Sequence, residues 1–172
     1  MVKALFPGTF DPIHYGHMDI ASRASRLFDA VVMAVYDKPL KSLMFSPEER
    51  MSLVREAFKD NPKVMVTGYS GLTVEFARKI SAQVIVRGLR VFSDFEFEFR
   101  MGLANQRLAS DIETVAFITA EEHTFLSSST VKEIASLHGN VSSMVPPHVE
   151  RALQAKVNDL GDGHSPPNAL RD

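Results

Sequence analysis

The sequence predicts a doubly wound, Rossmann-like α/β fold: a five-stranded parallel sheet with helices on both faces and further helices at the C-terminal end. Three observations carry that expectation. Short β-branched and apolar runs alternate with amphipathic helical patterns along the chain. Parallel strands need crossover helices, and a helical pattern stands between each pair of runs. With 172 residues, 45% of them hydrophobic, the chain can bury one substantial core.

The elements follow in order. Ala4-Leu5-Phe6 reads as the first strand, then comes a helix over about 16–28 and a strand over 31–35, together one βαβ unit. Ser46-Pro47-Glu48-Glu49 announces the next helix: Ser46 caps it, Pro47 takes the first helical position, and Glu49 completes a capping box. That helix ends near Phe58. A strand over 64–66, a helix over about 73–81, a strand over 84–86, a long helix over 95–108 and a fifth strand over 114–118 complete the alternation. Two C-terminal helices are expected, over 130–138 closed by Gly139, and over about 147–158 opening on proline. One domain over residues 1–160 is expected. The run GDGHSPPNALRD over 161–172 is too rich in Gly, Pro and polar residues to bury a core and reads as a disordered tail.

Composition narrows the function classes. Nineteen basic against 21 acidic residues give a net charge of −2, which argues against a general nucleic-acid or anionic-membrane surface and leaves room for a local basic pocket. No cysteine is present, so disulfides, thiolate metal sites and a cysteine nucleophile are excluded. The opening MVKALFPGTF has too short an apolar run for a signal peptide, and nowhere do about 18 apolar residues follow one another. A soluble, cytoplasmic enzyme is the expectation.

Chemistry concentrates where strands meet helices. Pro7-Gly8-Thr9-Phe10-Asp11-Pro12-Ile13-His14-Tyr15-Gly16-His17 leaves the first strand and enters the first helix, at the carboxyl edge where open α/β sheets bind ligands. Glycines allow close backbone approach, a helix start offers N–H groups to anions, and His14 and His17 add imidazoles. Neither GxxxxGK(S/T) nor GxGxxG is present, which removes the P-loop and common dinucleotide readings. His14-Tyr15-Gly16-His17 matches the HxGH signature of the nucleotidyltransferase superfamily. Two other readings stand beside it: His17 as a helix cap or packing residue, and Asp11, His14 and His17 as ligands around Zn²⁺.

Val86-Arg87-Gly88-Leu89-Arg90 follows the fourth strand, and its two guanidinium groups suit phosphate oxygens. The alternative is a pair of solvated arginines. In Asp94-Phe95-Glu96-Phe97-Glu98-Phe99 acids gather near a helix start, with Glu98 available to a ligand amino or hydroxyl group and Glu96 a surface acid. Phe125-Leu126-Ser127-Ser128-Ser129-Thr130-Val131-Lys132-Glu133 places more hydroxyls at a helix start than capping needs. Thr130 with Glu133 reads as a capping box, and Lys132 as a further cation for phosphate.

PGTFDPIHYGH, RGLRVFSDFEFE and SSSTVKE, in this order and at these separations, resemble the phosphopantetheine adenylyltransferase family over roughly residues 1 to 158. The related cytidylyltransferases share HxGH but close on an RTxGISTT-like motif, absent here. The resemblance implies transfer from ATP to 4'-phosphopantetheine, giving dephospho-coenzyme A and pyrophosphate, with Mg²⁺ on the phosphates, in a homohexamer. It implies acceptor contacts from Thr9, Lys41, Thr73 and Arg87. For ATP it implies Thr9, Phe10, His17, Gly88, Leu89, Arg90 and Glu98, with His123, Thr124, Phe125, Leu126, Ser127, Ser128 and Ser129. Where many relatives carry Trp this chain has His123, and where some carry Tyr it has Phe97. His17, Lys41 and Thr9 are read as the catalytic groups at the α-phosphate, Arg87 as positioning the acceptor, and Arg90 with Ser127–Ser129 as holding the β- and γ-phosphates. Other acceptors, such as nicotinamide mononucleotide, and a nucleotide-sensing module without turnover are the competing functions.

Overall fold

The structure is a computed structural model that describes residues 1–38 and 42–161, with backbone alone at 160–161. Lys41 and the tail beyond residue 161 lie outside the described residues. The elements run β1 (Lys3–Gly8), α1 (Tyr15–Leu27), β2 (Ala30–Tyr36), α2 (Pro47–Ala57), β3 (Val64–Tyr69), α3 (Thr73–Lys79), β4 (Val84–Leu89), α4 (Phe92–Leu108) and β5 (Glu113–Ile118). A 3₁₀ turn (Glu121–His123), α5 (Ser128–Ser136) and α6 (Pro147–Gly161) follow.

The five strands form one parallel sheet in the order β3-β2-β1-β4-β5. The first crossover moves outward from β1 to β2, and the return to β4 lies on the other side of β1. The chain therefore reverses direction across the sheet between β1 and β4, which opens a crevice above their carboxyl ends. Central β1 and β2 are buried on both faces and read as continuous apolar runs, as strands covered on both sides require. Alternation sorts their side chains. Ala4, Phe6, Met33, Val35 and Val86 pack with α1, α2, α5 and α6 on one face, while Leu5, Val32, Ala34 and Ile85 pack against Val74, Ala77, Ala109 and Ile112 on the other.

The capping box at Ser46 and Glu49 forms as the sequence predicts: Glu49 N–H donates to Ser46 Oγ at 3.2 Å and Ser46 N–H to Glu49 Oε2 at 2.8 Å. Several boundaries differ. β4 runs on through Gly88 and Leu89 because β5 supplies ladder partners, Ala116, Phe117 and Ile118, to the Arg-Gly-Leu segment that reads locally as a loop. Helix α4 begins at Phe92, and none of its 17 residues is buried; Phe92, Phe95, Phe97, Phe99, Met101 and Leu103 stand exposed. α6 continues past Asn158 to Gly161.

Candidate active site

The β1–α1 loop is shaped by Phe10. Its backbone takes φ +48°, which folds its ring beneath Gly8, where an added Cβ would come within 2.8 Å of the ring. Glycine is required at position 8 for that reason. The Phe10 side chain is buried, edge-on to Phe6 at 5.6 Å and to His17 at 5.0 Å. The Phe10 ring braces His17.

His14 and His17 close the start of α1 on each other. His14 is the N-cap and His17 occupies the third helical position; His17 N–H donates to His14 Nδ1 at 3.4 Å and His14 N–H to His17 Nδ1 at 3.3 Å. The rings stack at 3.7 Å. Each Nδ1 accepts, so in the neutral imidazoles the proton sits on Nε2. Burial, then the Arg90 guanidinium, then His123 lower the His14 pKa to about 3, so His14 is uncharged. The sequence sets capping against a place in the crevice; His17 takes part in the helix cap and also lines a cavity at this edge of the sheet. The Zn²⁺ reading fails on this geometry, because the two Nδ1 atoms are turned onto the helix start and Asp11 is engaged elsewhere.

The two arginines at the end of β4 are held by carboxylates and not loosely solvated. Arg87 donates from Nε and Nη2 to Glu98 at 2.8 and 2.5 Å, and from Nη1 to the Pro7 carbonyl at 2.9 Å. Arg90 repeats the pattern: Nε and Nη2 to Asp94 at 3.0 and 3.2 Å, and Nη1 to the Leu126 carbonyl at 2.6 Å. In each, three of five N–H donors are engaged among the described residues and two remain. Glu98 is therefore not the unattached acceptor that the sequence suggests; it orients Arg87. Burial pushes the Asp94 carboxyl up, and the hydrogen bonds and charge of Arg90 outweigh it and hold the group below its usual pKa.

Helix α5 starts two residues earlier than its sequence pattern indicates. Ser127 is the N-cap, taking the Thr130 N–H at 3.0 Å, so the expected Thr130–Glu133 box is not the cap. Any of the neighbouring hydroxyls satisfies the cap pattern, and the packing of buried Val131 against the core selects Ser127. Ser128 Oγ donates to the Pro12 carbonyl at 2.8 Å, which joins α5 to the β1–α1 loop. Lys132 does not face a phosphate site: its ammonium lies 2.6 Å from Asp11 Oδ2.

Two cavities open at this edge of the sheet. The first, about 360 Å³, is lined by Thr9, Phe10, His17, Arg87, Gly88, Arg90, Glu98 and Ser127–Ser129 among the residues expected from sequence. The second, about 410 Å³, is lined by Thr73, with Tyr36 and Tyr69 beside it. They share Pro7, Gly8, Thr9 and Arg87. Thr73 Oγ1 sits 3.0 Å from the Tyr69 hydroxyl. Leu89, His123, Thr124, Phe125 and Leu126 line neither of the two cavities. Leu126 is fully buried and contributes its carbonyl to Arg90, Phe125 is exposed, and the Cβ of His123 packs beside Gly16. Sequence reasoning missed Ile20, Asp94 and Thr119 in the first cavity. Asp94 lies inside a motif already marked, Ile20 lies one helical turn beyond Gly16, and Thr119 directly follows β5 at the ligand-binding edge.

The chain matches the cytidylyltransferase-like family over residues 5–134. It is 54% identical over 154 residues to the phosphopantetheine adenylyltransferase of Roseiflexus sp., covering 90% of this chain and 96% of that protein. It is 50% identical over 155 residues to that of Desulfitobacterium hafniense, covering 90% and 95%. To that of Moorella thermoacetica it is 53% identical over 160 residues, covering 93% and 100%. A solved structure from Vibrio parahaemolyticus, provisionally assigned as a nicotinate-nucleotide adenylyltransferase, superposes with TM-score 0.67 at 21% identity over 90% of this chain and 99% of that one, a likeness of fold. With the HxGH helix start, the paired arginines and the serine-capped helix at one crevice, and relatives of this identity along nearly their whole length, the chain belongs to the phosphopantetheine adenylyltransferases within the cytidylyltransferase-like family.

Proposed function

We infer that the protein transfers the adenylyl group of ATP to 4'-phosphopantetheine, giving 3'-dephospho-coenzyme A and pyrophosphate, a step of coenzyme A biosynthesis. The observation that carries the reading is the shared floor of the two cavities: Pro7 to Thr9 and Arg87 border both. A donor in one and an acceptor in the other would bring their phosphates together there.

The reaction needs no protein nucleophile. A phosphate oxygen of the acceptor attacks the α-phosphorus of ATP, the new P–O bond forms as the bond to the bridging α–β oxygen breaks, and the electron pair leaves with pyrophosphate. Alignment and neutralisation are what the protein must supply. We assign His17, with its proton on Nε2, together with Thr9 and Lys41 to the charge that builds at the α-phosphate. Lys41 keeps this role on the family resemblance, since it lies outside the described residues. Arg87, aimed by Glu98, and Thr73 are assigned to the acceptor. Arg90, aimed by Asp94, and Ser127–Ser129 at the N-terminus of α5 are assigned to the β- and γ-phosphates. Gly88, where an added Cβ would collide with the Ile20 side chain, brings bare backbone to the nucleotide. Leu89 and the stretch from His123 to Leu126 stay in the nucleotide set by resemblance.

Among the described residues no group of three His, Cys, Asp or Glu stands together to hold a metal, and Asp11, Asp94 and Glu98 are each taken by a cation of the protein. On this reading Mg²⁺ arrives on the ATP phosphates, where it would neutralise charge. A homohexamer is what the family resemblance implies, and the uncovered aromatic side chains of α4 offer a surface for contacts between subunits. A cytoplasmic location accords with the metabolic role, and no described helix is long and apolar enough to cross a membrane.

Pyrophosphate release tests the reading. Release with ATP plus 4'-phosphopantetheine, and none with nicotinamide mononucleotide, is expected. Release only with the mononucleotide would move the acceptor assignment, and ATP binding without any release would leave a nucleotide-sensing module.

A further inference from the structure

Behind the crevice lies a frame of three charged residues, none of which lines either cavity. Asp11 is 1% exposed. Its Oδ1 accepts the Phe45 N–H at 2.9 Å, and its Oδ2 accepts the Met44 N–H at 3.1 Å and the Lys132 ammonium at 2.6 Å. Arg50 is fully buried and donates from Nη1 to the carbonyls of Thr9 at 2.7 Å and Tyr36 at 2.8 Å, and from Nε to that of Phe45 at 3.2 Å. Phe45 is thus gripped on both sides, its N–H by Asp11 and its carbonyl by Arg50.

The frame ends on site residues in two directions. Through Arg50 it reaches the carbonyl of Thr9, one of the residues common to both cavities. Through Lys132 it reaches α5, whose N-cap and first turn carry Ser127–Ser129 and whose Ser128 already rests on the Pro12 carbonyl. One carboxylate stands between two cations, so the frame presents no uncompensated anion to a triphosphate. Removing one member of a buried pair leaves a charge without its partner, whereas removing both is far milder.

We propose that Asp11 is a positioning residue for adenylyl transfer: paired with Lys132 and bridged through Phe45 to Arg50, it fixes Thr9 against the serines of α5 so that the two phosphates meet in line. The inference rests on the site reading above. A misplacement of about 1 Å far from the chemistry costs on the order of 10²-fold in rate, the scale at which such a frame acts.

The test uses Asp11→Asn, Lys132→Met, the double variant and Lys132→Arg, each assayed well below its own Tm with rates expressed per folded molecule. Asp11→Asn and Lys132→Met are expected to lower kcat by roughly 10- to 100-fold, with ATP affinity by calorimetry changed by no more than about threefold. The double variant is expected to recover part of the loss, and Lys132→Arg most of it. If both single variants keep kcat within about twofold of wild type while Tm falls, the pair serves stability alone and the proposal is overturned. Should Asp11→Asn not fold, Lys132→Met decides by the same criterion, since Lys132 is partly exposed. Failure of the wild-type chain to release pyrophosphate from 4'-phosphopantetheine would instead strike the acceptor reading, an outcome separate from either.

Discussion

His14 and His17 stack face to face at 3.7 Å, and each accepts the other's backbone N–H on Nδ1. The arrangement does two jobs at once. It satisfies two N–H groups at the start of α1, and it holds the His17 ring in one orientation and one tautomer at the wall of the cavity.

The first prediction concerns that tautomer. A donor that strengthens its hydrogen bond only as the phosphorus becomes pentavalent lowers the barrier without tightening ATP. His17→Ala is therefore expected to cost about 10²-fold or more in kcat, with ATP binding changed much less. The same change removes half of the capping box, a loss of about 1 kcal/mol in stability, so assays belong well below Tm. His17→Gln, which can rebuild the box and supply a neutral donor, is expected to recover part of the rate. Single-turnover kinetics beside calorimetric ATP titration check this; ATP affinity collapsing in step with rate would count against the assignment.

His14 gives the pH prediction. Its pKa falls from the ordinary 6.5 to about 3 in the folded protein, chiefly through burial. Between those values the unfolded chain holds the proton more often than the native one, so stability rises with pH across that window and is lost as pH drops from 6.5 toward 3. One such group contributes a slope of at most about 1.4 kcal/mol per pH unit. His14→Asn keeps a side-chain acceptor at the N-cap and removes the titration. Urea unfolding at several pH values between 6.5 and 5 is expected to show a shallower decline for the variant, and equal slopes would show that His14 carries no such linkage.

Arg87 and Glu98 must be tested together. Arg87→Ala is expected to raise KM for 4'-phosphopantetheine far more than KM for ATP. It also strands the Glu98 carboxylate, whose side chain is only 12% exposed, beside the floor of both cavities. That stray charge repels either substrate. Adding Glu98→Gln should then relieve the effect on ATP while leaving the acceptor KM high. Steady-state kinetics with each substrate varied decide it, and an effect of Arg87→Ala confined to ATP would reverse the division of labour between the two arginines.

What the sequence revealed follows from how local each feature is. The β1–α1 loop and the two arginines were legible because motif order fixes them to strand ends, and the serines because hydroxyls mark a helix start; β2 was legible because its short, valine-rich Val-Val-Met-Ala-Val run suits a strand buried on both faces. The His14–His17 box was half visible: the N-cap to third-position spacing was there, with imidazoles in place of hydroxyl and carboxylate. Contacts set by the tertiary fold were not legible. Lys132 meets Asp11 across 121 residues, and nothing near Lys132 in sequence distinguishes a partner carboxylate from a ligand phosphate. Glu98 and Arg87 are 11 residues apart on different elements, so their pairing waited on the angle between β4 and α4.

The last prediction concerns Thr119, which follows β5 and continues its ladder by donating its N–H to the Leu89 carbonyl at 2.8 Å. Its Oγ1 is buried and has no hydrogen-bond partner among the described residues, in a side chain that borders the first cavity with Ile20 and Gly88. An unsatisfied buried hydroxyl costs about 1–3 kcal/mol, and valine of similar shape removes that penalty. Thr119→Val is therefore expected to raise the urea midpoint of the unliganded protein with the slope unchanged. If nucleotide occupying the cavity supplies the missing partner, the variant forgoes that bond, and ATP should stabilise it less than it stabilises wild type. Urea unfolding with and without ATP gives both numbers. A less stable unliganded variant would mean that the hydroxyl already has a partner, and equal ATP stabilisation would mean that the nucleotide does not reach it.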